Sequence, residues 1–112
     1  MFAPACEAAF VDAMVEALAA APPRVGIAAG EALFGHDADL RAGLQALRVP
    51  AFAINAAYHP TDFEAAQRCG VAVKMMEGVG HFVMLEDPTT FNRLIQGAVE
   101  ACMAAAAELR RT

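Results

Sequence analysis

The residues able to do chemistry gather in the second half of the chain. His81 lies in Gly78-Val79-Gly80-His81-Phe82, a short glycine-flanked loop after an apolar run and before a strongly amphipathic segment. An imidazole on such a loop can take up and return a proton, the work of a general base. Glu86 and Asp87 are adjacent carboxylates, but they precede Pro88 at a helix start. Acids there favour the helix dipole and cap free amides, so both read as helix-start residues. His36 lies in Gly35-His36-Asp37 and reads as a solvated turn. His59, Asp62 and His81 are metal-ligating types, but no spacing ties them together, and no metal or cofactor is expected. Cys69 precedes Gly70 at a helix end, not after a strand, and reads as a buried or half-buried thiol. The chain contains no serine. It therefore lacks a Gly-x-Ser-x-Gly nucleophile elbow.

The elements that must hold these residues follow from periodicity and punctuation. Residues 49–55 are a short apolar run after a proline, suited to a parallel strand covered on both faces. Thr61-Asp62-Phe63-Glu64 has capping-box form, with Thr61 as the cap of a helix reaching about Cys69 and Gly70 beyond its end. Residues 71–76 form a second strand, so 49–76 reads as a right-handed βαβ unit. Asp87 caps the last helix with Pro88 in its first turn, and Phe91, Leu94, Ile95, Ala98, Val99, Cys102 and Met103 share one face. Upstream, 4–20 reads as a helix with Pro4 in its first turn and Pro22-Pro23 as its stop. A second helix spans 24–34, with Val25, Ala28, Ala29 and Leu33 as its stripe. A third ends near Leu47, with Asp37 or Asp39 as its cap.

Composition narrows the class. Of 112 residues, 28 are alanine, so the hydrophobic fraction of 58% overstates the core that Phe, Met, Leu, Ile and Val can build. The net charge of -5 and the lack of a basic stripe argue against nucleic acid as a partner. No apolar run approaches a membrane span, and no secretory signal is visible, so a cytoplasmic chain without a membrane partner is expected. Cysteines at 6, 69 and 102 are odd in number and widely spaced, as free thiols in a reducing compartment would be.

The segment from Leu47 to about Cys102 resembles the C-terminal third of an α/β-hydrolase. The matching residues are Val49-Pro50-Ala51-Phe52 entering the seventh strand, Gly78 to His81 after the eighth, and Glu86-Asp87-Pro88 opening the last helix. The resemblance implies an α/β fold in two parts. Residues 1–47 would be a helical segment like the tail of the lid and the helix before strand seven. Residues 48–112 would be the β-α-β-α C-terminal portion of the hydrolase core.

It also implies acyl- or ester-type hydrolysis of a small molecule by a Ser-His-Asp triad, with His81 as general base. The family's Ile-x-Gly-x-x-Asp pattern, aligned on Ile54, puts Ala56 at the glycine and His59 at the acid. Asp62, three residues on, is the carboxylate available for that role, although the capping pattern places it in a first helical turn. The expectation is thus a hydrolase fragment that carries the base without the nucleophile and is inactive alone. Self-association, or completion by another chain, should accompany it. The alternatives are a non-catalytic α/β binding module and a subunit of a split hydrolase.

Overall fold

The computed structural model describes residues 1–111. In chain order the elements are α1 (Ala8–Ala19), α2 (Pro23–Gly35), α3 (Asp37–Ala46), β1 (Ala51–Ala56), α4 (Phe63–Arg68), β2 (Val71–Met76), α5 (Val83–Glu86) and α6 (Pro88–Leu109). The chain is of mixed α/β type around a two-stranded parallel sheet.

The strands pair in register from Ala51 opposite Val71 to Ala56 opposite Met76. The Ala57 N–H, donating to the Met76 carbonyl at 2.8 Å, carries the ladder one step past β1. The connection between them is α4. Asp62, not Thr61, is its cap, with Oδ1 accepting from the Ala65 N–H at 2.8 Å. The Thr61 hydroxyl instead accepts from Asn55 Nδ2 at 3.1 Å. Gly70 ends the connection at φ +68°, a left-handed position where a side chain would be strained.

The buried core is Ala56, Met76, Val79 and Val83, with Ile54, Phe91 and Leu94 packed against it. Ala56 and Met76 are the last residues of their strands, so the core lies beneath the loop that carries His81. Asp87 caps α6 as expected, Oδ1 accepting from the Thr90 N–H at 2.9 Å, with Pro88 in the first turn.

Several expectations fail, those about burial for want of covering surface. The two faces of β1 are not both covered: only Ala56 is buried, and Ala51 to Asn55 are half-buried. Helices α1, α2 and α3 contribute no buried residue, and the α2 stripe of Val25, Ala28, Ala29 and Leu33 is exposed. The first helix begins at Ala8, not Pro4, because residues 4–6 turn instead. Neither Asp37 nor Asp39 caps α3. His36 holds the cap position without a side-chain bond, and its imidazole stands 3.5 Å from Asp39. On α6 the inner stripe meets the buried core at Phe91 and Leu94, and Ala98 and Cys102 are half-buried, with Cys102 Sγ donating to the Pro50 carbonyl at 3.9 Å, while Ile95, Val99 and Met103 are exposed.

The same deficit appears in the whole molecule. A folded monomer of 11.7 kDa exposes about 5,900 Å², whereas this chain exposes 8437 Å². Its radius of gyration is 17.0 Å, against about 13 Å for a compact domain of this length. Among the described residues no helix is long and apolar enough to cross a membrane.

Candidate functional site

Parallel sheets present their chemistry beyond the carboxyl ends of the strands. Both histidines of interest lie there, His59 after β1 and His81 after β2. They face each other with ring centroids 6.2 Å apart and planes near perpendicular. Together with Ile54, Asn55, Ala56, Val83 and Met84 they line a cavity of about 440 Å³. Both side chains are exposed, open to solvent and to anything bound in the cavity.

Each histidine sits on a tethered loop. The loop of His59 is closed by its own N–H donating to the Ala56 carbonyl at 3.2 Å and by the Asn55–Thr61 side-chain bond at 3.1 Å. The Tyr58 ring lies 4.1 Å from the His59 ring, centroid to centroid. Asn55, which ties this loop and lines the cavity, lies in a run that its sequence marks only as an apolar strand. The available signal was one amide closing an otherwise apolar run.

The loop of His81 begins at Gly78, in the left-handed region at φ +70°. Gly80 is needed for a different reason. A Cβ there would overlap the backbone of residues 1–3, meeting Ala3 N and Phe2 C at 2.7 Å. That approach lets the His81 N–H donate to the Met1 carbonyl at 2.5 Å. The Phe82 ring lies 5.1 Å from the His81 ring and 5.3 Å from that of Phe2.

Glu86 belongs to this loop more than to a helix start. Its Oε2 accepts from the N–H groups of Ala3 and Gly80, both at 2.9 Å, and its Oε1 from the Phe82 N–H at 3.3 Å. Partial burial raises its pKa, but these backbone donors lower it by more, so the carboxyl titrates below its usual value. Hydrogen bonds from the Thr90 side chain and N–H likewise hold Asp87 below its usual value.

Asp62 is not brought to His81. Its carboxylate is engaged as the α4 cap, and it lines another cavity, with Leu40, Leu44 and Cys69, that has Asn55 in common with the histidine cavity. Among the described residues no carboxylate hydrogen-bonds the His81 imidazole, and no three His, Cys, Asp or Glu side chains are grouped to hold a metal. Cys6, Cys69 and Cys102 are free and half-buried, and none lines the histidine cavity. The site can therefore accept and donate protons, but it holds no nucleophile of its own. No family model, curated protein or solved structure matches the chain.

Proposed function

We propose that these residues are the base-bearing part of a serine hydrolase of the α/β-hydrolase type, acting on a small ester- or acyl-type substrate. His81 is the general base. The nucleophile comes from residues outside this chain, whether another polypeptide or another part of a longer one. The observation that carries this reading is the placement of His81 on a clamped glycine loop. That loop lies beyond the carboxyl end of a parallel strand and beside an open cavity. In acyl transfer the imidazole takes the proton of an attacking hydroxyl and returns it to the leaving group. An exposed ring on a braced backbone suits both steps.

Asp62 is occupied elsewhere, and His59 stands where the family pattern has its carboxylate. The acid is therefore assigned to the completing residues. The surface left uncovered, about 2,500 Å² beyond a compact monomer, is on the scale of what obligate partners bury. It favours completion by further polypeptide, or self-association, over a self-sufficient binding module.

Activated short-chain esters test the reading. The purified chain should give no hydrolysis above buffer, and addition of a completing polypeptide bearing a Gly-x-Ser-x-Gly elbow should produce it. Turnover by the chain alone that survives repurification and vanishes in His81→Ala would overturn the missing nucleophile.

A further inference from the structure

We propose that Glu86 is the positioning residue of His81: its carboxylate grips the peptide N–H groups on either side of that histidine and so fixes where the imidazole stands. Three consecutive N–H groups, at 80, 81 and 82, point into one small region. Glu86 takes the first at 2.9 Å and the third at 3.3 Å. The middle one goes to the Met1 carbonyl. The segment carrying that carbonyl is itself held by Glu86, through the Ala3 N–H at 2.9 Å. One carboxylate thus organises both walls of the loop.

The geometry is local in origin. Helix α5 is a single turn, and the Glu86 N–H donates to the Phe82 carbonyl at 2.9 Å, which folds residue 86 back beneath 82. A carboxylate accepts from several donors at once, and such charge-assisted bonds are the strong ones. A carboxamide has one accepting oxygen, and its NH2 would face a donor. Glu86→Gln therefore removes at least one of the three bonds while nearly keeping the volume. The functional consequence rests on His81 being the general base; the clamp itself does not.

The experiment uses the full chain with labelled histidine. There are three histidines, at 36, 59 and 81, so each imidazole can be followed separately. Hydrogen exchange is read in parallel at 78–86. In Glu86→Gln, Gly80, Phe82 or both, according to which position the amide oxygen takes, should exchange about 10-fold faster or more, the effect of losing one charge-assisted bond. The His81 imidazole signals should broaden or split, while His59 and the α6 amides stay as they were. Unchanged His81 signals despite faster exchange at 80 or 82 would overturn the positioning role. So would equal changes throughout α6, since Glu86 would then only support the helix.

Should the variant not fold, the wild-type chain is taken down through the Glu86 titration. Loss of protection at 80 and 82 before α6 supports the clamp, and loss with or after α6 overturns it. Failure here is distinct from failure of the hydrolase reading. The exchange and histidine signals need no activity. If they respond as expected while hydrolysis survives His81→Ala, the clamp stands and the hydrolase falls.

Discussion

Met76→Ala and Met103→Ala make one chemical change at opposite extremes of burial. Met76 is 2% exposed and is the largest fully buried side chain; Met103 is 69% exposed on α6. Truncating a buried methionine costs about 2–5 kcal/mol, the lost transfer energy plus the cavity left behind. An exposed truncation costs within about 0.5 kcal/mol. Among the described residues the buried core has Ala56, Val79 and Val83 besides Met76, so Met76 supplies much of that core. Ordinary domains are stable by about 5–15 kcal/mol. A chain with so small a core lies at or below that floor, so Met76→Ala should abolish cooperative unfolding. Urea denaturation followed by circular dichroism measures both variants. It is run at the lowest workable concentration, because association stabilises by mass action. The expected result is a lost or strongly shifted transition for Met76→Ala and a wild-type curve for Met103→Ala. Equal effects within about 0.5 kcal/mol would refute the reasoning, by showing that the core does not sit beneath the histidine loop.

Three further outcomes follow from the same contacts. Asp62→Asn keeps a capping side chain on α4 and should cost little stability; in the completed enzyme it should lower turnover only mildly, and a collapse matching that of His81→Ala would make Asp62 the triad acid after all. Glu86 and Asp87 both have carboxyls lowered by folding, from ordinary values of 4.5 and 3.8. Their contribution is present above those values and lost as pH falls through the folded ones, so acid melts should show stability declining below about pH 4.5; stability flat across that range would refute it. The free edge of β1 and the uncovered α6 stripe should make the isolated chain associate, and light scattering after size exclusion should report more than one chain per particle; a sharp monomer with strong exchange protection over 51–56 would instead mean a self-sufficient module.

What was legible in the sequence was local. Gly70 at a positive φ, the Asp87-Pro88 start of α6 and the 71–76 strand each depend on residues within a few positions. The glycine loop of His81 and its place after a strand were legible for the same reason. The long-range facts were not. Gly80 is explained by the passage of residues 1–3, far away in sequence. Glu86 read as a helix-start acid because its partner Ala3 is 83 residues distant. The cap of α4 is Asp62, while Thr61 is tied to Asn55, a choice that capping patterns do not encode. The stripe of α2 was periodic but is left exposed, and periodicity gives a face without its partner.

The most direct measurement is the turnover of His81→Ala in the completed enzyme, with the fold checked by circular dichroism. Loss of a triad base costs several orders of magnitude in rate. The expected result is a fall of about 1,000-fold or more with the fold intact, since the side chain is exposed. A variant retaining more than about a tenth of wild-type turnover would have lost less than about 1.4 kcal/mol of transition-state stabilisation, and His81 would not be the base.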